Sequence, residues 1–151
     1  MKIILLGPPA AGKGTQAEVL AERFSIPPIS TGAIIRKEIS EQTALGKKAS
    51  ALIDDGQLVP DEIVIQMVKE RIAQPDCANG YILDGFPRTV VQAQAVDQMG
   101  ITFDKVILFD VSDDEVIRRI TGRRECESCG RIYHTVYHPP KVQGVCDQCA
   151  G

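Results

Sequence analysis

The sequence lacks the features that mark membrane proteins and general nucleic-acid-binding proteins. No apolar stretch among the 151 residues is long enough to span a bilayer, and the apolar run from Met1 to Leu6 is too short for a signal peptide. Internal repeats and low-complexity segments are absent. Basic residues are not in excess, since the formal net charge is −3, so any phosphate group must be bound by local positive clusters. We therefore expect a cytoplasmic protein that uses neither a membrane nor nucleic acid as a partner.

The five cysteines are not expected to form a disulfide framework, because the cytoplasm expected for this protein is a reducing compartment. Four of the five cysteines form two pairs, Cys126-x2-Cys129 and Cys146-x2-Cys149, with sixteen residues between the pairs. This spacing is typical of a zinc ribbon, in which two tight turns present four thiolates to one tetrahedral ion. Four sulfur ligands leave no open coordination position, so we expect structural Zn²⁺, or another thiophilic metal, rather than a catalytic ion. The fifth, Cys77, is predicted to be a half-buried structural thiol.

The cysteine-rich segment from Gly122 to Gly151 also has few large apolar residues. It cannot bury a core of its own, and a bound metal that contributes on the order of 10 kcal/mol is a plausible substitute. With four cysteines as ligands, His134 and His138 are surplus, and we predict that they pack or lie on the surface.

A glycine-framed loop near the N-terminus reads Gly7-Pro8-Pro9-Ala10-Ala11-Gly12-Lys13-Gly14-Thr15. Its glycines let several backbone N–H groups converge, and the helical pattern that follows adds the partial positive charge of a helix N-terminus. We predict a phosphate-binding loop in which Lys13 reaches the β- and γ-phosphates of a nucleotide. The hydroxyl residue expected directly after this lysine is Gly14, with Thr15 one place later, so we expect magnesium to be held differently than in most such loops.

Apolar runs alternate with helical patterns along the chain, which predicts an α/β fold: a doubly wound parallel sheet of the P-loop type with helices on both faces. The predicted strands are Lys2 to Leu6, the region of Pro28 and Ile29, Tyr81 to Asp84, and Lys105 to Asp110. The last two read as strands covered on both faces. The predicted helices are Gly14 to Phe24, Thr31 to Ser40 with Ser30 or Thr31 as cap, Leu45 to Gly56, one from Asp61, Thr89 to Gln98, and one to Gly122 that begins with the capping box Ser112-x-x-Glu115.

A second candidate site follows the predicted strand that ends at Asp84, in the segment Asp84-Gly85-Phe86-Pro87-Arg88-Thr89. A carboxylate beside a phosphate loop can hold Mg²⁺ through water, and the Arg88 guanidinium offers a planar fork for a second phosphate group. Simpler interpretations stay open. Asp84 also fits a turn or cap, and Thr89-x-x-Gln92 is a capping box that needs no ligand.

Four separated motifs, taken in order, resemble those of the adenylate kinase family of nucleoside monophosphate kinases, in its bacterial, long-lid, zinc-containing type. They are Gly7 to Gln16, Ser30-Thr31-Gly32 with Arg36, Asp84 to Thr89 with Gln92, and Arg119-Ile120-Thr121-Gly122-Arg123-Arg124. The resemblance implies a core P-loop domain at 1–29 and 60–121, a nucleoside monophosphate-binding helical segment at 30–59, and a zinc-binding lid at 122–151. The long lid argues against the short-lid pyrimidine nucleotide kinases.

The resemblance also implies a reaction, the reversible transfer of a phosphoryl group from MgATP to AMP by a monomeric enzyme, giving two ADP. The implied ATP-binding residues are Ala10, Ala11, Gly12, Lys13, Gly14, Thr15, Arg119, Arg123, Ile132 and Tyr133. The implied AMP-binding residues are Thr31, Arg36, Gln57, Leu58, Val59, Gly85, Phe86, Pro87, Arg88 and Gln92. The implied catalytic residues are Lys13, Arg88, Arg123 and Asp84, and Asp84 also holds Mg²⁺ through water.

The chain departs from the family pattern at two positions and at its end. Ala10 stands where a glycine is usual, and Ala33 replaces an acid. The resemblance implies a lid return, a fifth strand and a final helix beyond Gly151, with further arginines and part of the adenine pocket. We therefore expect these 151 residues on their own to have low or no activity, and strand Lys105 to Asp110 to be an uncovered sheet edge.

Two other functions remain open from the residues alone. One is a nucleotide-binding module whose zinc ribbon contacts nucleic acid or a protein, although the segment from Asp84 to Arg88 has no role in it. The other is a kinase that phosphorylates a different nucleoside monophosphate.

Overall fold

The computed structural model describes every residue from Met1 to Gly151, in two compact units. The large unit comprises Met1–Leu6 and Gly12–Phe109, and the small unit comprises Gly7–Ala11 and Asp110–Gly151. In neither unit is there a helix both long and apolar enough to cross a membrane. The domain ranges implied by the family resemblance stay a prediction beside this division.

A parallel sheet of four strands organises the large unit, in the order β2-β3-β1-β4. Its strands are β1 (Lys2–Leu6), β2 (Pro28–Ser30), β3 (Tyr81–Asp84) and β4 (Lys105–Leu108). The helices of this unit are α1 (Lys13–Phe24), α2 (Thr31–Ser40), α3 (Ala44–Asp54), α4 (Asp61–Ile72) and α5 (Val90–Gln98), with a short 3₁₀ turn at Pro75–Cys77. The predicted α/β fold is confirmed.

Each face of this sheet has its own hydrophobic core. Because successive side chains of a strand point to opposite faces, Ile4 and Leu83 join one cluster whereas Leu5 and Ile82 join the other. Helices α2, α3, α4 and α5 pack against the first cluster, and α1 packs against the second through Ala17. Helices therefore cover both faces, as the sequence predicts.

Strand β4 differs from the prediction, because it is not covered on both faces. It pairs only with β1, and all four of its residues are exposed, including Val106 at 59% and Leu108 at 67%. The strand also ends at Leu108, two residues before Asp110. An apolar sequence does not by itself show that a strand is buried, because burial requires another element to pack on it. The prediction that this strand is an uncovered sheet edge is confirmed.

The small unit contains α6 (Asp113–Gly122) and an antiparallel hairpin of β5 (Arg123–Glu125) and β6 (Ile132–His134). The His134 ring lies so close to Gly122 that a Cβ there would overlap it. The predicted capping box of α6 is wrong. Ser112 makes no side-chain cap bond, and Glu115 instead binds two arginines of its own helix, at 3.1 Å and 2.7 Å.

Two further expectations need correction in the large unit. Ser30 precedes α2 without making a cap bond, and the Thr31 hydroxyl donates to the Gly85 carbonyl at 3.1 Å rather than capping the helix. Cys77 is almost fully buried, at 3% exposure, and its Sγ lies 3.0 Å from the Arg71 guanidinium. Burial raises the pKa of this thiol, which the positive charge of Arg71 partly opposes.

Candidate active site and metal centre

The carboxyl end of β3 brings Asp84 beside the start of α1, within the large unit. Asp84 pairs in register with Leu5, near the end of β1, and β1 leads into the phosphate loop. A Cβ placed on Gly14 would lie 3.6 Å from Asp84 Oδ2, so the carboxylate adjoins the backbone of the loop. Burial raises the pKa of Asp84, whereas the positive charges of Lys13 and Arg88 lower it. The structure thus brings one half-buried carboxylate within the electrostatic reach of two cations that the sequence marks as phosphate ligands.

The end of the phosphate loop has the geometry that an anion requires. Gly12 has a φ of 97°, which only glycine adopts without strain, and α1 begins at the next residue, Lys13. No side chain caps this helix. The positive end of the α1 dipole therefore lies at the end of the loop, where it favours an anion.

The Gly85 carbonyl accepts two side-chain hydrogen bonds at the second candidate phosphate site. It accepts from the Thr31 hydroxyl at 3.1 Å and from Arg88 Nε at 2.7 Å. Gly85 itself has a φ of 78°, and a Cβ there would lie 2.6 Å from Arg88 Nη2. Glycine is needed at this position because it lets Arg88 fold back over the backbone beside Thr31.

The remaining residues that the resemblance assigns to AMP also lie in the large unit. Arg36 is exposed on α2, and its Nη1 would be 3.3 Å from a Cβ on Gly32. Leu58 is 94% exposed in the segment before α4, whereas Val59 packs against the larger core. Gln92 is buried near the start of α5, and its Nε2 donates to Asp61, the residue at which the sequence predicts that a helix begins. The roles of these residues toward AMP stay predictions.

Within the small unit, Arg119 joins α6 to the first half of the phosphate loop. Its Nη1 donates to the carbonyls of Ala10 and Ala11, at 3.4 Å and 3.3 Å, and its Nε donates to Glu115 Oε1 at 2.7 Å. Glu115 thus positions an arginine that the resemblance assigns to ATP, a role that the sequence reasoning missed. Arg123 is exposed on β5.

Ala10 adopts a left-handed backbone, with a φ of 58°, at the loop position where the family usually has glycine. This conformation costs about 1–2 kcal/mol for an L-residue. Glycine adopts it without that strain, but glycine also loses more conformational entropy on folding, so the net gain in stability is smaller than the strain. We expect Ala10→Gly to raise the free energy of unfolding by about 0.5–1 kcal/mol in chemical denaturation. Ala33→Gly, in helix α2, is the control, and it should lower stability by about 1 kcal/mol. Equal losses in both variants would show that Ala10 is not strained.

The four paired cysteines come together in the small unit as the spacing predicts. Their sulfur atoms all lie within 4.8 Å of one another, with Cys126 and Cys149 3.5 Å apart and Cys129 and Cys146 3.6 Å apart. Four convergent sulfurs form a soft ligand set that suits Zn²⁺ and needs no fifth group. The cluster could therefore hold a zinc ion.

Tyr133 contacts one cysteine of this cluster through its hydroxyl. Its ring is buried, its hydroxyl lies 3.4 Å from Cys146 Sγ, and the Asp147 N–H donates to the same hydroxyl at 2.6 Å. The hydroxyl oxygen is thus engaged as an acceptor, which directs its proton toward the sulfur. This hydrogen bond is the largest of the causes that lower the pKa of Cys146 to about 6. The side chain of Tyr133 therefore forms a hydrogen bond with the cysteine cluster. Its assignment to ATP stays a prediction.

Removal of that hydroxyl tests its effect on metal binding. We expect Tyr133→Phe to weaken Zn²⁺ binding about tenfold, as loss of a ligand's outer partner does elsewhere. Competition against a chromogenic chelator measures the affinity. Tyr137→Phe is the matched control, because Tyr137 is exposed and contacts no cysteine in the hydrogen-bond network. An unchanged affinity in Tyr133→Phe would contradict the proposed support.

The two histidines lie outside the cluster, as predicted. The His134 ring stacks on Tyr137, and its Nδ1 accepts from the N–H groups of Val136 and Tyr137, each at 3.1 Å. His138 stacks on Tyr133. Both rings therefore have packing roles within the small unit.

Comparison with known proteins assigns this arrangement to a family. The family model described as adenylate kinase matches residues 5–148, which include the phosphate loop, Asp84, Arg88 and almost all of the cysteine segment. The chain belongs to the adenylate kinase family. It is 56% identical to the adenylate kinase of Carboxydothermus hydrogenoformans and 54% identical to that of Caldicellulosiruptor bescii. Each alignment covers 100% of this chain and 72% of the relative.

Membership of the adenylate kinase family makes the protein a nucleoside monophosphate phosphotransferase. It also gives the two candidate phosphate sites a common purpose, since such an enzyme has a donor and an acceptor nucleotide. The family implies ATP, AMP and ADP as substrates and the use of MgATP.

Proposed function

We propose that the protein catalyses reversible phosphoryl transfer from MgATP to AMP, giving two ADP. The observation that carries the proposal is the half-buried Asp84, whose carboxylate is acted on by the charges of both Lys13 and Arg88. A module that only binds one nucleotide has no role for the segment from Asp84 to Arg88. Arg88, positioned by the Gly85 carbonyl, supplies a second phosphate ligand beside the same carboxylate.

The donor triphosphate is held by the loop residues Ala10 to Thr15 and by Lys13. Asp84 suits Mg²⁺, because it is a hard oxygen ligand at the end of a strand, and it holds the ion through water as the resemblance implies. When bound there, Mg²⁺ would supply positive charge against the phosphates. Arg119 and Arg123 add positive charge to the ATP phosphates, and Ile132 and Tyr133 border ATP.

The acceptor is held by Thr31, Arg36 and Arg88, with Gln92 and the segment from Gln57 to Val59 at its base. The α-phosphate of AMP is already an anion at neutral pH, so the reaction needs no general base. Catalysis then depends on alignment of donor and acceptor and on the cations that stabilise the transferring group. Lys13, Arg88 and Arg123 are the cations that we assign to this task.

We propose that the cysteine cluster holds a structural Zn²⁺. The four thiolates satisfy a tetrahedral ion, so it has no position left for substrate. The small unit has a single short hairpin and few buried apolar side chains, and the metal stabilises it in place of a core. The enzyme acts as a monomer in the cytoplasm, in nucleotide homeostasis.

A comparison of acceptors tests the proposal. The complete protein, supplied with MgATP and with AMP, GMP, CMP or UMP in turn, should form ADP at the greatest rate with AMP. Coupled detection of nucleoside diphosphates measures each rate. If the protein prefers another monophosphate, that nucleotide and not AMP is the acceptor. If it transfers phosphate to none of them and also causes a salt-dependent shift of RNA or DNA in a gel, the nucleic-acid-binding alternative is favoured.

A further inference from the structure

The buried amide of Gln92 is held by two partners of fixed polarity. Its Oε1 accepts from the backbone N–H of Arg88 at 2.7 Å, and its Nε2 donates to Asp61 Oδ1 at 2.7 Å. Gln92 is only 5% exposed. The capping box of α5 therefore forms only in part, because Thr89 accepts from the Gln92 N–H at 3.1 Å while the amide of Gln92 turns toward Arg88 and Asp61.

These partners determine which end of the amide faces which neighbour. A backbone N–H can only donate, and an ionised carboxylate can only accept. If the amide turned over, it would set its NH₂ group against the Arg88 N–H and its carbonyl against the Asp61 carboxylate. Each of those mismatches sets like groups against each other and leaves the buried Gln92 amide unsatisfied, so the observed orientation is favoured.

The Asp61 carboxylate is itself fixed in place. Its second oxygen, Oδ2, accepts from the Thr89 hydroxyl at 2.8 Å. Asp61 is also the first residue of α4, where a negative charge is favoured by the helix dipole. The Asp61 carboxylate is thus fixed by its place at the start of α4 and by Thr89 at the start of α5, and it fixes the Gln92 amide in turn.

The fixed amide presents a donor and an acceptor in a fixed order. A primary amide has two N–H donors and two lone pairs on oxygen, and one of each is used by Asp61 and Arg88. The other N–H and the other lone pair can read the edge of a purine. They match an edge where an amino group stands beside an unprotonated ring nitrogen, and they oppose an edge where a carbonyl stands beside a ring N–H.

We infer that Asp61 is a positioning residue that fixes the amide of Gln92 and thereby selects 6-aminopurine over 6-oxopurine monophosphates. This inference rests on the proposed function, in which Gln92 lies at the base of AMP. Asp61 touches no substrate in this account, because it acts only through the amide. It adds specificity to a site whose phosphate ligands, Thr31, Arg36 and Arg88, cannot distinguish the two bases.

Calorimetric binding of AMP and IMP to the complete protein tests the inference. IMP has the same ribose and phosphate as AMP but a 6-carbonyl beside a ring N–H. The wild type should bind AMP more tightly, and Asp61→Ala should reduce the ratio of the IMP Kd to the AMP Kd about tenfold, since one orienting hydrogen bond is lost. Asp61→Asn should have a smaller effect, because the asparagine oxygen can still accept from Gln92. Asp97→Asn changes an exposed acid on α5, the helix that carries Gln92, and should leave the ratio unchanged.

The outcomes separate this role from a structural one. If Asp61→Ala weakens AMP and IMP by the same factor, or changes neither, the inference is overturned, because loss of a helix-start acid alone cannot distinguish two bases. Asp61→Asn guards against a folding defect, since it is nearly isosteric with the wild type. A wild type that binds neither nucleotide would overturn the proposed acceptor site itself, whereas a wild type that binds AMP but does not distinguish it from IMP would overturn only the inference.

Discussion

Lys13→Met is expected to lower the kcat for ADP formation by about 10²- to 10³-fold, which is the usual loss when a charged group that stabilises the transferring phosphoryl is removed. The side chains are similar in length, so the variant removes a charge while it keeps most of the packing at the start of α1. The rate is measured on the complete protein with saturating MgATP and AMP. Because Lys13 acts in the transition state, kcat should fall more than the affinity for ATP.

Lys48→Met is the matched control for this variant, because Lys48 is exposed on α3 and has no predicted role. It should keep the wild-type rate. Thermal unfolding of both variants, followed by circular dichroism, should give melting temperatures close to that of the wild type. A Lys13→Met enzyme that retains its kcat would remove the phosphate loop from the mechanism.

Removal of the metal is expected to have the largest effect on stability. Zinc held by four thiolates contributes apparent binding free energy on the order of 10 kcal/mol, and the small unit offers little buried apolar surface to replace it. Incubation with a strong chelator, or the substitution Cys146→Ser, should therefore unfold the cysteine segment. Hydrogen exchange should report fast exchange from Cys126 to Gly151 and continued protection of β1 and β3.

Metal analysis supplies the control for this experiment. The wild type and Cys77→Ala should each contain one zinc per chain, since Cys77 lies in the large unit and outside the cluster. Cys146→Ser should contain much less. A fully protected cysteine segment in the metal-free protein would contradict the proposed structural role of zinc.

The parts of the fold that are readable from sequence are those in which one local pattern has one physical solution. The phosphate loop needs glycine at Gly12 to reach a φ of 97°, and two C-x2-C turns at the right separation converge on one point. The parallel strands are readable because βα alternation and apolar runs leave few other arrangements.

The wrong predictions concern sequence patterns whose structure depends on the residues that surround them in the fold. Ser112 and Glu115 have the spacing of a capping box, but the two arginines of α6 compete successfully for the glutamate. The apolar run of β4 does not reveal whether another element covers it. Asp61 reads as an ordinary acid at a helix start, and its bond to Gln92 joins residues thirty-one positions apart. Such long-range contacts have no signal in a single sequence.

The most direct measurement of the central claim starts from ADP alone. If the protein carries a donor site and an acceptor site, then the complete, zinc-loaded protein supplied with Mg²⁺ and ADP must form ATP and AMP in equal amounts, which ³¹P nuclear magnetic resonance resolves over time. Lys13→Met should do so at a rate lower by about 10²- to 10³-fold. Release of inorganic phosphate without ATP, or no change in ADP, would contradict phosphoryl transfer between two nucleotides.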